Sequence, residues 1–112
     1  MALIERFERL LAEGRDNALL RFSLGGEYLK AAAPDKAIEH LRAAVGHDDG
    51  YSAAWKLLGH ALRDLGDADG ARIAWRRGIV AAEGKGDKQA AREMAVFLRR
   101  LDREAGPADP GT

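Results

Sequence analysis

The sequence predicts an all-α domain of six short helices, and three observations carry that prediction. Apolar residues recur at helical spacing between glycine and proline punctuation, no segment alternates with period two, and the chain resembles itself at a spacing of 34 residues. Its 112 residues suffice for one domain and one core.

Each element follows from local chemistry. Leu3, Ile4, Phe7, Leu10 and Leu11 fall on one face of a first helix, which Gly14 closes by accepting the left-handed conformation. Asp16 or Asn17 caps a second helix running to about Ala32. Pro34 and Asp35 open a third, proline because a first turn tolerates it and Asp because it accepts from free backbone N–H groups. That helix ends near His47. Ser52, a candidate N-cap, starts a fourth helix that reaches Leu65 and stops at Gly66. A fifth begins at Asp67 or Asp69 and ends at Gly84-Lys85-Gly86. Asp87 caps a sixth, ending near Glu104; residues 106–112, rich in glycine and proline without an apolar anchor, are expected to be disordered.

The internal repeat fixes how the helices pair. Leu24-Gly25 recurs as Leu58-Gly59, Asp35 and Ala37 as Asp69 and Ala71, Arg42 as Arg76, and Val45 as Ile79. The second copy reads Trp55-x-x-Leu58-Gly59-x-x-Leu62, then Ala71-x-x-x-Trp75. The first reads Leu24-Gly25-x-x-Tyr28, then Ala37-x-x-x-Leu41, with Arg21 at the tryptophan position. A small residue at Gly25 or Gly59 lets two helices approach closely, at a propensity cost of up to ~1 kcal/mol relative to Ala. Leu41 and Trp75 are placed to fill the gap between the helices of each pair.

These residues resemble the tetratricopeptide repeat (TPR), in the manner of small bacterial proteins of that family. The segments Arg21–Leu29, Gly86–Gln89 and Phe97–Leu101 extend the resemblance over most of the chain. It departs at the terminal proline, replaced by Asp49 and Glu83, and at the tyrosine of the second repeat, which is Leu62. The resemblance implies antiparallel helix pairs in a right-handed superhelix. Two repeats, about 18–51 and 52–85, would lie between an N-terminal helix and a capping helix at 87–104, in a single domain of residues 1–105.

Composition excludes more than it specifies. The 18 basic and 18 acidic residues balance, so bulk charge draws the chain to neither nucleic acid nor an anionic membrane. There is no cysteine, hence no disulfide, thiolate metal site or cysteine nucleophile. The N-terminus mixes charges among its apolar residues, unlike a secretory signal, and no run approaches a membrane span; the cytoplasm is the expected compartment. His40, His47 and His60 lack metal-ligand spacing and read as solvated helix histidines. Asp67-Ala68-Asp69-Gly70 has Leu65 and Arg76 where a calcium loop needs oxygens, and reads as a helix-capping turn. No nucleophile–base pair, phosphate loop or paired carboxylate points to catalysis or to a cofactor.

The expected function is therefore to hold a protein or peptide. The resemblance implies a concave groove lined by the first helix of each pair. It places there Leu19, Phe22, Gly26, Leu29 and Lys30 from one repeat and Ala53, Lys56, His60, Arg63 and Asp64 from the next. Lys56, His60 and Arg63 share a helix face and, beside Phe22 and Leu29, suit a peptide bearing an acidic or C-terminal carboxylate. Phe22 and Gly26 stand where relatives that clamp a terminal carboxylate carry lysine and asparagine, so that particular device is incomplete. A second surface is the basic stripe Lys88, Arg92, Arg99 and Arg103, opposite Ala90, Met94, Phe97, Leu98 and Leu101 on the last helix. As a nucleic-acid surface it lacks interleaved aromatics. Self-association into a homodimer through an imperfect solenoid end, and weak nucleic-acid binding through this basic face, are the competing roles.

Overall fold

The computed structural model describes residues 2–105, which form six α-helices with no strand among them. In order they are α1 (Ala2–Ala12), α2 (Ala18–Lys30), α3 (Pro34–His47), α4 (Ser52–Leu65), α5 (Ala68–Gly84) and α6 (Lys88–Ala105). The segment expected to be disordered, 106–112, lies outside the described residues.

Caps set most of the boundaries. The Asn17 side chain accepts from the Leu20 N–H at 2.8 Å, Asp67 from Gly70 at 2.9 Å and Asp87 from Ala90 at 3.0 Å. Gly14, Gly66 and Gly86 reverse the chain after α1, α4 and α5 with φ of 86°, 93° and 74°. Two expected caps are absent. Asp35 lies within the first turn of α3 behind Ala33, which caps without its side chain, and Pro34 alone starts the helix. Ser52 is already helical, and Tyr51 precedes α4 with no side-chain cap. The second helix stops at Lys30, short of Ala32, because Ala32 takes the left-handed conformation at φ 57°.

Packing is sequential. Helix α2 lies on α3, α4 on α5, and each pair docks on the next through α3 and α4; α1 closes one end and α6 the other, against α5 and α4. The first helices of successive pairs are neighbours, α2 with α4 and α4 with α6. The second helices α3 and α5 share no close backbone contact. An array whose first helices touch while its second helices splay is curved, with α2, α4 and α6 on the inner side.

The core explains the motif. Leu24, Leu41, Trp75 and Met94 are fully enclosed, and Trp55 retains only 8% of its exposure. A Cβ at Gly25 would overlap the Leu41 side chain, and one at Gly59 would overlap the Trp75 indole. Over the bare Gly59 the Trp75 Nε1–H reaches the Lys56 carbonyl oxygen of α4 at 3.1 Å. The Trp55 Nε1–H likewise donates to the Asp49 carbonyl at 2.7 Å, pinning α4 to the turn before it. In α1, Ile4 is buried and Phe7, Leu10 and Leu11 are partly buried, while Leu3, expected on the inward face, is 41% exposed.

Two outcomes are expected from this packing. Trp75→Ala should lose about 3–5 kcal/mol of stability, read from denaturant unfolding, because it opens a cavity and orphans a backbone bond. Ending the chain after Gly86 should expose Trp75 and Gly78 where Met94 and Phe97 now pack. The product should be aggregated or unfolded by circular dichroism and size-exclusion chromatography. A monomeric helical product would mean that the two helix pairs, α2 with α3 and α4 with α5, close their own core without α6.

Candidate functional site

The inner face is built from α2, α4 and α6, and its character changes along its length. On α2, Leu19 is 65% exposed, and Phe22 and Leu29 are half-buried. The Phe22 ring stacks at a tilt on Tyr51, with centroids 4.9 Å apart. Leu57 of α4 lies beside Gly26, 3.7 Å from where a Cβ would stand, an ordinary contact distance that would tolerate a side chain there. This end of the face is an open apolar step. Lys30 at its edge is exposed and pairs with Glu27 at 3.1 Å.

The basic residues of α4 do share one face, and α6 bears on that face. Lys56 Nζ lies 3.9 Å from Glu93 Oε2, and Arg63 Nη2 lies 3.5 Å from its neighbour Asp64. The Arg63 guanidinium also sits 5.9 Å from the centre of the Trp75 ring. His60 is held between Trp75 and Phe97, with ring centroids 5.4 and 4.6 Å away, both edge-on. Its Nδ1 is buried without a hydrogen-bond partner among the described residues. Burial, then the charges of Arg63 and Lys56, lower its pKa to about 4. His60 is thus a neutral floor residue rather than the solvated donor expected from spacing.

The stripe Lys88, Arg92, Arg99 and Arg103 is exposed along α6, facing away from the buried Ala91, Met94 and Leu101. None of the four is ion-paired among the described residues.

A polar cluster at the N-terminal end escaped the motif reading. Arg21, at the repeat's tryptophan position, donates from Nε and Nη2 to both Asp16 carboxylate oxygens at 2.8 and 3.0 Å. Its Nη1 donates to His40 Nδ1 at 3.1 Å, which leaves the His40 proton on Nε2, 3.4 Å from Glu8 of α1. His40 is buried, not solvated, and stacks in parallel on Tyr28 at 5.4 Å; only His47, bonded to Asp16 at 3.1 Å, keeps the surface position expected of it. The hydrogen bond from Arg21 is the main reason the Asp16 carboxyl is lowered to about 2. A basic residue at an apolar motif position was the available signal. No group of three or more histidine, aspartate or glutamate side chains converges as a metal site among the described residues. No described helix is long and apolar enough to cross a membrane.

Helix pairs locked glycine-to-bulky, first helices inward, define a tetratricopeptide-repeat protein. The chain belongs to that family. It is 55% identical over 101 residues to the TPR repeat-containing protein PA0015 of Pseudomonas aeruginosa, covering 90% of this chain and 96% of that one. It is also similar to the solution structure of protein BPP2914 from Bordetella parapertussis, with a TM-score of 0.80, 52% identity, and coverage of 93% and 90%. The TPR domain of Sgt2 from Aspergillus fumigatus superposes with a TM-score of 0.71 at 27% identity, covering 97% of this chain and 74% of that one. The co-chaperone sgt12 of the same fungus, a heat-shock protein cognate (HSC) co-chaperone, is 27% identical over 107 residues, 96% of this chain and 31% of that protein. No family model matches the chain.

The histidine geometry has a pH consequence. A histidine whose pKa falls from 6.5 to about 4 on folding refuses a proton that the unfolded chain accepts between those values. Stability should therefore decline as pH falls through that window, and His40, also lowered by burial, adds with the same sign. His60→Leu should flatten the dependence of unfolding free energy on pH above about pH 5, without lowering the melting temperature at neutral pH. An unchanged slope would show that His60 is not the group refusing the proton.

Proposed function

We propose that this chain is a protein-interaction module that takes an extended or helical peptide along its inner face. The observation that supports this reading is the apolar step of exposed Leu19 and half-buried Phe22 and Leu29 on α2, with the cations Lys56 and Arg63 on the neighbouring α4. Apolar surface in a concave setting, flanked by charge, is the usual chemistry of peptide recognition. Lys30, Lys56 and Arg63 each have a carboxylate neighbour at 3.1–3.9 Å, all at partly exposed positions. Such pairs contribute only ~0–1 kcal/mol, so a ligand carboxylate can replace Glu93 or Asp64 at small cost. His60 and Phe97 shape the floor beneath them.

The family also supports the reading, since one relative, of whose length this chain spans 31%, is named as a heat-shock protein cognate co-chaperone. The incomplete clamp at Phe22 and Gly26 argues that a terminal carboxylate is not gripped here by the lysine–asparagine device. Apolar anchoring on α2 takes its place in this proposal.

Peptides selected from a random display library against the whole chain should be enriched in an apolar residue next to an acidic one. Leu19→Lys should weaken the best of them about tenfold or more by calorimetry. Lys56→Ala with Arg63→Ala should lower affinity and the salt dependence together. Selected peptides that bind both variants as tightly as the wild type would remove the inner face as the working surface.

A further inference from the structure

The splay of α3 from α5 opens a groove on the outer side of the array, opposite the proposed peptide face. Its two adjoining parts hold about 550 and 270 Å³ and share Trp55 and Arg77. The floor is apolar: Trp55, Val45 and Leu58 are buried beneath it. The Trp55 indole N–H is already bonded to the Asp49 carbonyl, so the ring offers only carbon surface. On the α5 wall stand Ile73 and Val80, 56% and 70% exposed, two of the largest apolar exposures on the described residues. They are seven residues apart, two helical turns or about 10.5 Å. Neither contributes to the inward stripe of Ala71, Ala74, Trp75, Gly78 and Ala82, so the packing among the described residues gives no use for them.

The rim is basic. Arg42, Arg76, Arg77 and Lys85 line the groove, and Asp49 is the acidic residue among its lining. None of the four cations is ion-paired among the described residues; Arg77 instead lies 5.6 Å from the centre of the Trp55 ring. This differs from the inner face, where Lys30, Lys56 and Arg63 each sit beside a carboxylate. In a chain of zero net charge, unpaired cations gathered around exposed aliphatic side chains are a local arrangement.

We propose that this outer groove docks an amphipathic helix of a partner protein, with aliphatic residues about two turns apart and acidic residues on its flanks. The aliphatic residues would meet Ile73, Val80 and the Trp55 floor, and the acids the arginine rim. A second copy of the chain offering the same groove is disfavoured, since it would set four cations against four. Nucleic acid is disfavoured because the aromatic is 8% exposed and bonded, leaving no ring on which a base stacks.

The test uses the whole ¹⁵N-labelled chain and a synthetic helical peptide of about five turns, leucines at i, i+3 and i+7, glutamates beside them. Binding is followed by fluorescence anisotropy and by NMR. The expected result is saturable binding that shifts the Trp55 indole N–H and the amides around Ile73 and Val80. Affinity should fall about tenfold or more with the glutamine version of the peptide, with Arg76→Glu, and with Val80→Ser, both exposed positions outside the core. Leu19→Lys on the inner face should leave this binding unchanged, so failure here is separable from failure of the inner-face reading. No saturation by about 1 mM peptide, shifts confined to α2 and its neighbours, equal binding of the glutamine peptide, or displacement by single-stranded DNA would each overturn the proposal.

Discussion

The contact on which the rest depends is a bare glycine on the first helix of a pair against a bulky side chain on the second. Gly25 receives Leu41 and Gly59 receives Trp75, and no Cβ fits at either place. The contact is steric and also polar, because the Trp75 indole crosses the glycine to bond the Lys56 carbonyl. Helix propensity alone favours Ala at both sites by up to ~1 kcal/mol, so close approach outweighs it. A related contact joins the last pair to the cap: Gly78, here on the second helix α5, accommodates Met94 of α6, with the Trp55 Cβ 2.9 Å from where a Cβ would stand. These contacts set the distance within each pair, and the pair distance sets the curvature. An inner face of touching first helices and an outer groove between separated second helices both follow.

The chain's balanced charge conceals a segregation that only the fold makes visible. On the α2 and α4 part of the inner face Lys30, Lys56 and Arg63 each have an acid beside them, and the polar N-terminal cluster absorbs Arg21, Asp16, His40 and Glu8 into the joint between α1, α2 and α3. The outer groove and the free face of α6 keep cations that no acid answers among the described residues. Two surfaces of different chemistry on one small solenoid suit a connecting role, one face apolar with exchangeable charges and the other cationic around exposed aliphatics.

What the sequence made legible was what repeats. Leu24-Gly25 and Leu58-Gly59 with Leu41 and Trp75 announced the helix pairs, and the glycine and aspartate punctuation placed the helix ends to within a residue or two. What it concealed depends on contacts between distant segments. His40 and His60 looked solvated because helical spacing does not record that α1 or α6 will lie over them. Arg21 looked like a defect in the motif until Asp16 and His40 supplied its partners. Ser52 and Asp35 looked like caps because residue type was right, while the backbone had already turned one position before Ser52, at Tyr51, and two before Asp35, at Ala33. Ile73, Arg76, Arg77 and Val80 share the outer side of a helix whose inner stripe is complete without them, and that surplus was the readable sign of the outer groove.

If the glycine–tryptophan contact governs pair spacing, Gly59 and Trp75 must act as one unit. The most direct measurement is a double-mutant cycle on Gly59→Ala and Trp75→Leu, followed by denaturant unfolding. The contact predicts that Gly59→Ala destabilises the wild type by at least about 1–3 kcal/mol, through overpacking of the indole. In the Trp75→Leu background the same change should cost much less, giving a coupling above about 1 kcal/mol. Additive effects within about 0.3–0.5 kcal/mol would contradict the account, because the two residues would then contribute independently and something else would set the helix spacing.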